Sequence, residues 1–139
     1  MLQNVNPILT GQLLLWLDEM GHGDAVVIAD AQFPAYRLCR RVIDLPGSRS
    51  PEVLDAIRSV LPLDDDAPGL DLMSTPDGNL LPVQQELVAA ADIADQVPRL
   101  LMKPDFFAVA GEAYCIIRTG EQRIYGHAIF RKGIVTREP

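Results

Sequence analysis

The feature that most constrains the fold is a short apolar run, Ala25–Ala29, which follows a glycine-rich segment at residues 21–24 and ends at Asp30. The run shows no alternation with polar residues, which is typical of a strand that is covered on both faces. Gly21 follows a helical pattern, and we predict that it ends this helix as a left-handed C-cap, because glycine has no Cβ to clash. The sequence therefore predicts a helix, a tight turn and a buried strand that ends at an aspartate.

His22 lies in the predicted turn, so that His22 and Asp30 bracket the strand. A strand of five or six residues is roughly 17–20 Å long, and the two side chains do not meet if each stays at its own end. Either the turn folds His22 back over the sheet, or a second copy of the chain brings the pair together. The sequence leaves both arrangements open.

The rest of the chain alternates helical and strand-like patterns. Thr10 is the predicted N-cap of the first helix, and Ser50, followed by Pro51 and Glu52, is the predicted cap and start of the next. Further helical patterns cover residues 84–94 and 105–113, and strand-like segments cover residues 42–45, 70–73, 114–118 and 124–130. The 139 residues are enough for one core, with no repeat and no linker. We therefore predict a single α/β domain over residues 1–139, with a mixed sheet between helices.

Composition excludes several classes of partner. The net charge of −7 and the pI near 4.6 argue against nucleic acid or an anionic membrane. No apolar run approaches the ~20 residues that a bilayer-spanning helix needs, and no secretory signal pattern is present. Cys39 and Cys115 are far apart and form no Cys-x-x-Cys motif, which indicates free thiols in a reducing compartment. The chain is therefore expected to be cytoplasmic.

Proton transfer is the chemistry that the side chains favour. The chain has two histidines, His22 and His127, and no serine elbow, phosphate-binding loop or His/Cys metal cluster. Three consecutive aspartates at residues 64–66 are interpreted as part of a solvated loop over residues 63–69, because adjacent residues cannot all face one ion. We expect no metal and no cofactor. An imidazole flanked by carboxylates can transfer protons alone, although a turn histidine such as His22 also fits a capping or surface role.

Two motif blocks carry a resemblance to a known family. One is the Gly-His-Gly-Asp turn with the buried strand and the stretch Ala-Asp-Ala-Gln-Phe-Pro-Ala at residues 29–35, and the other joins Arg-Thr-Gly-Glu at residues 118–121 to Tyr-Gly at 125–126 and Arg-Lys-Gly at 131–133. Together they resemble the RbsD/FucU family of sugar mutarotases and pyranases. The Phe-Pro-Ala variant is more similar to the fucose mutarotase branch than to the ribose pyranase branch. The resemblance implies the RbsD-like three-layer α/β/α fold.

The resemblance also implies a reaction and a site. Family members interconvert sugar anomers by opening and closing the hemiacetal, without metal or cofactor, so the expected substrate is a monosaccharide such as L-fucose or a related sugar. His22 matches the proton-transferring histidine, and Asp30 matches a carboxylate that contacts the sugar. Tyr125 and Gly126 begin a sugar-binding segment. Asp24 lies in the histidine motif, where it holds either the imidazole or the turn.

Two positions depart from the family pattern. His127 is found where the family usually has asparagine, and Lys103 is found where a histidine or arginine contacts the sugar. An imidazole can still donate or accept one hydrogen bond and lysine can still donate, but neither copies an asparagine amide or a planar guanidinium. Both residues are assigned to the substrate-binding set, and their identity leaves the sugar open.

Assembly and activity each have an alternative. Family members form rings, commonly decamers, in which a neighbouring subunit completes each pocket. Four consecutive apolar residues at 14–17 fit such a homo-oligomer, because successive helix positions point about 100° apart; a helix sandwiched within its own monomer is the other interpretation. The alternative function is a non-catalytic sugar-binding accessory of a transport or catabolic system. A structural protein that has lost the site is disfavoured by the presence of both His22 and Asp30.

Overall fold

A six-stranded mixed sheet forms the centre of the protein in the computed structural model, which describes residues 1–66 and 68–137. Its strands are β1 (Ala25–Ala29), β2 (Val42–Leu45), β3 (Leu70–Met73), β4 (Arg99–Leu101), β5 (Cys115–Thr119) and β6 (Ala128–Arg131). Their order across the sheet is β2-β5-β1-β6-β3-β4. Strands β1 to β5 run in one direction, and β6 is antiparallel to both of its neighbours. The carboxyl ends of five strands therefore share one edge of the sheet with the beginning of β6.

Helices cover both faces of the sheet. They are α1 (Gly11–Glu19), α2 (Ala35–Leu38), α3 (Ser50–Arg58), α4 (Pro82–Ala91) and α5 (Lys103–Ala110). One apolar cluster contains residues of α1, α3 and α4, and the other contains residues of α2 and α5. Each fully buried leucine or phenylalanine contributes about 1.5–3 kcal/mol to stability, so the two clusters hold the layers together. The predicted fold, one α/β domain with a mixed sheet between helices, is confirmed.

The end of α1 differs from the prediction. Met20 follows the helix in an extended conformation, and the left-handed glycine is Gly23, at a φ of 87°, rather than Gly21. The Lys132 ammonium donates to the carbonyls of Leu17 at 2.7 Å and Met20 at 2.6 Å. A cation at a helix C-terminus satisfies carbonyls that have no partner within the helix. A side chain at the end of β6 therefore takes the place of the expected glycine cap.

The two predicted helix starts also differ from one another. Thr10 caps α1 as predicted, because its hydroxyl accepts the N–H of Leu13 at 3.4 Å. In α3 the N-cap is Arg49, whose N–H donates to the Glu52 carboxylate at 3.2 Å, and Ser50 is already the first helical residue. The predicted N-cap role of Ser50 is therefore wrong. Its buried hydroxyl contacts the end of the sheet instead.

The last third of the chain departs most from the sequence pattern. The strand predicted over residues 124–130 begins only at Ala128, because Tyr125 has a φ of 64° and turns the chain before the strand. The short strand β4 was not predicted. It is held at the edge of the sheet by Arg99, whose guanidinium donates twice, at 2.9 and 2.8 Å, to the buried carboxylate of Asp71 on β3. Such a paired geometry is the strong form of a charge-assisted hydrogen bond.

Two expectations drawn from composition concern the cysteines and a membrane span. Cys39 and Cys115 are free thiols as predicted, and burial raises the pKa of Cys115 to about 12. Within residues 1–66 and 68–137 no helix has the length and apolarity required to cross a bilayer.

Candidate functional site

A pocket of about 300 Å³ opens at the edge of the sheet where the five parallel strands end. Asp30 follows β1, Lys103 follows β4, and His127 immediately precedes β6. Open α/β sheets bind ligands at this edge because the loops that leave the strands surround a crevice there. The full lining is Asp30, Gln32, Phe33, Pro34, Met73, Lys103, Phe107, Ile124, Tyr125 and His127. The topology of the sheet thus collects residues that are almost a hundred positions apart.

Asp30 and His127 form a hydrogen-bonded pair in this pocket. The Nδ1 of His127 lies 3.1 Å from the Oδ2 of Asp30, and the N–H of Gln32 donates to Oδ1 at 3.1 Å. The side chain of His127 is 8% exposed and that of Asp30 is 11% exposed. An ionised carboxylate only accepts, so the imidazole donates from Nδ1. The other ring nitrogen, Nε2, is sealed from solvent and has no hydrogen-bond partner within the described residues.

Aromatic rings surround the imidazole of His127. Its centroid lies 5.2 Å from that of Phe33 and 4.9 Å from that of Phe106. At the mouth of the pocket the Lys103 ammonium lies 5.8 Å from the ring centroid of Phe107. Ligand sites typically combine such apolar walls with a few polar groups that orient the ligand. Here the carboxylate of Asp30 and the ammonium of Lys103 are the charged groups.

The loop before β6 holds a constrained backbone. Tyr125 lies in the left-handed region, which costs a non-glycine residue on the order of 1–3 kcal/mol. A Cβ at Gly126 would lie 2.6 Å from the Cγ of Glu121 and 2.9 Å from the carbonyl oxygen of Arg123, so a larger residue does not fit there. Gly126 does not line the pocket. Because it has no side chain, its backbone can pass close to Glu121 and Arg123, and this fixes the positions of its two neighbours, Tyr125 and His127.

An ion-pair network ties this loop to α4. The Arg123 guanidinium donates to Glu121 at 2.9 Å and to Glu86 at 2.5 Å. Burial of Glu121 acts to raise its pKa, but the hydrogen bonds from Arg123 outweigh this effect and the pKa is lowered. The carboxylate of Glu121 is therefore held in its charged form beneath the loop.

His22 lies at the opposite edge of the sheet. Its turn is hydrogen-bonded to the end of β6, where Gly23 donates to the carbonyl of Lys132 at 2.8 Å. The Nε2 of His22 lies 3.0 Å from the Oδ1 of Asp64 and 3.4 Å from the Oδ2 of Asp66. The imidazole is 37% exposed, whereas the Asp64 side chain is 3% exposed. A buried carboxylate therefore holds an accessible imidazole.

The interpretation of residues 63–69 as a solvated loop is wrong for Asp64. Its N–H donates to the carbonyl of Arg131 at 3.1 Å, and its carbonyl accepts from the Gln96 amide at 3.0 Å. These backbone contacts lock the segment against the end of β6, which buries the side chain. Asp66 is exposed as expected, and Ala67 lies outside the described residues. Asp64 is 42 positions from His22, so no local pattern could have revealed the pair.

Asp24 belongs to the turn. Its Oδ2 accepts the N–H of Gly21 at 2.7 Å, whereas the imidazole of His22 lies on Asp64. Of the two roles considered for Asp24, its contacts correspond to holding the turn.

One group of three potential metal ligands is found within residues 1–66 and 68–137. His22, Asp64 and Asp66 each offer one ligand atom, and these atoms lie within 4.8 Å of one another. Histidine and carboxylates are common ligands of divalent cations. The 3.0 Å contact to Asp64 is an ordinary hydrogen bond between an imidazole and a carboxylate, and the 3.4 Å contact to Asp66 is an ion-pair distance, so the geometry needs no ion.

The structure thus separates the expected site residues into two sets. Asp30, Lys103, Tyr125 and His127 line one pocket. His22 lies at the far end of β1, and five residues of strand span roughly 17 Å. The turn does not fold His22 back to Asp30 within one chain. The sequence patterns did not indicate Asp64 or the apolar lining of the pocket as site residues, since only the folded sheet brings these residues to the two edges.

Known proteins share this architecture. The family model described as "RbsD / FucU transport protein family" matches residues 3–135. Among solved structures, protein Atu2016 is 33% identical with a TM-score of 0.92, covering 98% of this chain and 97% of that one. The fucose mutarotase of Streptococcus pneumoniae in complex with L-fucose is 30% identical with a TM-score of 0.88, covering 97% and 100%. RbsD of Bacillus subtilis complexed with D-ribose is 21% identical with a TM-score of 0.79, covering 98% and 100%, and shares the fold.

Proposed function

Because the chain belongs to the RbsD/FucU family, we propose that it interconverts the anomers of a monosaccharide by acid–base opening and closing of the sugar ring, without a cofactor. The observation that carries the proposal is the pocket of about 300 Å³ with the Asp30–His127 pair in it. L-Fucose or a related sugar is the proposed substrate, since a relative at 30% identity is a fucose mutarotase.

Asp30 is suited to orient the sugar. Each carboxylate oxygen already accepts one internal hydrogen bond, from Gln32 or from His127, and each can accept another from a sugar hydroxyl. The apolar walls at Phe33 and Phe107 make the surroundings of the carboxylate less polar than water. Hydrogen bonds made in such surroundings are stronger than in water, so a single charged group can select one orientation of the ring.

His22 is suited to transfer the proton. With Nε2–H donating to Asp64, Nδ1 is left as the proton-accepting nitrogen. Nδ1 removes the proton from the anomeric hydroxyl, the C1–O1 double bond forms as the C1–O5 bond breaks, and the imidazolium returns the proton to O5. The open aldehyde turns, and the reverse steps close it on either face. An imidazole can both take and give a proton, which suits it to this role.

A second copy of the chain is required to bring these groups together. We propose a homo-oligomer, such as the decameric ring of the family, in which His22 of one copy reaches the pocket of its neighbour. Large apolar side chains on the surface support an interface, among them Leu15 on α1, Met102 beside β4 and Ile124 at the mouth of the pocket.

The function is tested by saturation-transfer NMR across a panel of monosaccharides that includes L-fucose and D-ribose. Anomer exchange above the spontaneous rate is the expected result. Saturable binding of a sugar without accelerated exchange would favour the non-catalytic accessory instead. Neither binding nor exchange with any sugar of the panel would contradict both.

The shared pocket is tested by co-expression of two impaired variants, His22→Ala and Asp30→Asn, with exchange measured at a sugar concentration below saturation. In a symmetric oligomer with randomly mixed subunits, about one quarter of the shared pockets receive both intact residues. We expect each variant alone to exchange the sugar slowly under these conditions and the mixture to recover activity. No recovery in a mixed oligomer would show that both residues must come from one copy.

A further inference from the structure

Two hydroxyl groups lie behind the pocket and contact the backbone on either side of it. They belong to Thr119, the second residue of the Arg-Thr-Gly-Glu motif at the end of β5, and to Ser50, the first residue of α3. Both residues are buried, at 2% and 0% exposure, and neither lines the pocket. The reaction described above assigns no role to either.

Each hydroxyl donates to one carbonyl. The Thr119 hydroxyl donates to the carbonyl of Ala29 at 2.8 Å, and the Ser50 hydroxyl donates to the carbonyl of Gly126 at 2.6 Å. The two hydroxyl oxygens are 2.9 Å apart. Two protons therefore satisfy two buried carbonyls, and a buried carbonyl left without a partner costs about as much as a lost hydrogen bond.

The two carbonyls belong to the peptide groups that lead into the site. Ala29 precedes Asp30, and Gly126 precedes His127. A peptide group is planar, so fixing its oxygen also fixes the direction in which the next Cα leaves. Because the two hydroxyls touch, they set the position of one peptide plane relative to the other. The 3.1 Å contact between Asp30 and His127 is built on these two planes.

Glu121, the last residue of the same motif, fixes Asp30 from its other side. The N–H of Ala31 donates to the carbonyl of Glu121 at 2.9 Å, and the N–H of Glu121 donates to the Thr119 hydroxyl oxygen at 3.1 Å. The peptide groups before and after Asp30 are therefore both bound by the same motif. This accounts for the position of Ser50 as well: its hydroxyl is used at the sheet edge and not as a helix cap.

We propose that Ser50 and Thr119 are positioning residues of the site, whose hydroxyls hold the peptide planes that set the geometry of the Asp30–His127 pair. The inference rests on the proposed function only where sugar exchange is measured. The position of the His127 imidazole can be measured whether or not the protein exchanges sugar anomers. Removing either hydroxyl displaces the pair, and a displacement of about 1 Å at a reacting or orienting group costs up to roughly a hundredfold in rate.

The test uses the full chain with Thr119→Val, which keeps the shape and removes the hydroxyl, and with Thr119→Ser, which restores it. Ser50→Ala removes the second hydroxyl. Ser59→Ala is the matched control, because Ser59 lies just beyond the other end of α3 and its hydroxyl donates to the carbonyl of Ala56 at 2.6 Å, the same length as the Ser50 bond. Thermal unfolding of each variant identifies those that are folded.

The first readout is the pair of imidazole ¹⁵N signals. The chain has two histidines, so the signals are assigned with the His22→Gln variant. We expect Thr119→Val and Ser50→Ala to shift the His127 signals and leave those of His22 unchanged, while Thr119→Ser and Ser59→Ala shift neither. Unchanged His127 signals in a folded Thr119→Val and in a folded Ser50→Ala would overturn the proposal. If Thr119→Val does not fold, Ser50→Ala decides by the same criterion.

The second readout is sugar exchange. We expect a loss of roughly 10- to 100-fold in Thr119→Val and in Ser50→Ala, with Thr119→Ser and Ser59→Ala near the wild-type rate. Equal losses in Ser50→Ala and Ser59→Ala would show a general effect on α3 and would overturn a positioning role. If the wild type exchanges no sugar, the proposed function fails, and the imidazole signals still test the positioning.

Discussion

At one edge of the sheet His22 lies against Asp64, and at the other edge His127 lies against Asp30. The distances between the atoms are nearly equal, at 3.0 and 3.1 Å. The difference is exposure: the imidazole of His22 is 37% exposed and that of His127 is 8% exposed. In the first pair the carboxylate is buried and presents the imidazole outward. In the second, aromatic rings enclose the imidazole and the carboxylate lines the pocket.

Under the proposed function, this difference in exposure suits the two pairs to different tasks. A nitrogen must reach the substrate to exchange a proton with it, and His22 retains a ring nitrogen that is not bound to Asp64. The free nitrogen of His127 has neither partner nor accessible surface within the described residues. Under the proposed function, His127 therefore acts through the Asp30 carboxylate, which its Nδ1 contacts at 3.1 Å. The proposed function thus gives the same two side-chain types proton transfer in one environment and ligand orientation in the other.

The largest effect is expected for His22→Ala. Loss of a positioned general acid or base lowers a rate by about 10²–10⁴-fold, so anomer exchange should fall to near the spontaneous rate. The side chain lies on a partly exposed turn, and the melting temperature should change little. Exchange NMR on the purified variant checks this, with oligomer size measured alongside. Undiminished exchange would show that His22 does not transfer the proton. The two histidine–aspartate pairs would then not differ in function as proposed.

Asp64→Asn should give the next largest loss, on the order of tenfold to a hundredfold in exchange rate. An amide can donate to Nε2 where the carboxylate accepts from it, so the variant favours the tautomer that carries its proton on Nδ1. The measurement is the exchange rate together with the imidazole ¹⁵N shifts of His22. A wild-type rate with an altered tautomer would show that the partner of His22 does not matter for catalysis.

Asp30→Asn tests the second pair through sugar affinity. Losing hydrogen bonds from sugar hydroxyls to a charged group should cost about 1.5–3 kcal/mol, or roughly 10- to 100-fold in dissociation constant. Titration of the preferred sugar measures it, and thermal unfolding is the control. A variant that melts much earlier but binds normally would indicate that Asp30 is structural, supporting the turn at Gln32.

The double variant His127→Asn and Lys103→Arg should produce a smaller effect, confined to specificity. Both changes restore the side chains more usual in the family, and one altered hydrogen bond is worth about 0.5–1.5 kcal/mol, so relative exchange rates should shift by up to tenfold. Proton transfer by His22 should persist. Wild type and variant are compared over the same sugar panel. Identical preference profiles would place both side chains outside the determinants of specificity.

Removal of divalent cations should have no effect on exchange. His22, Asp64 and Asp66 are close enough to hold an ion, but the proposed proton transfer uses His22 with its Asp64 hydrogen bond alone. Exchange is measured before and after exhaustive chelation, and again with Zn²⁺ added. If chelation lowers the exchange rate and added Zn²⁺ restores it, His22, Asp64 and Asp66 form a metal centre that the reaction needs.

Local sequence was sufficient for much of the fold. The unbroken apolar run of β1 predicted a strand covered on both faces, and Thr10 predicted the start of α1. These features depend on neighbours within a few positions, so periodicity and capping chemistry are enough to identify them. The family resemblance contributed the site residues, and four of them, Asp30, Lys103, Tyr125 and His127, do line one pocket.

Other features depend on partners that are distant in sequence. Ser50 has the sequence signature of a helix cap, yet its hydroxyl donates to Gly126, 76 positions away. The aspartates at residues 64–66 have the composition of a solvated loop, yet backbone contacts to the end of β6 bury Asp64 beneath His22. The sequence by itself determined most of the elements, though not β4, and which chemical groups the chain carries. Only the tertiary structure decided which carboxylate meets which imidazole and how much solvent reaches each, because burial depends on how the six strands are ordered.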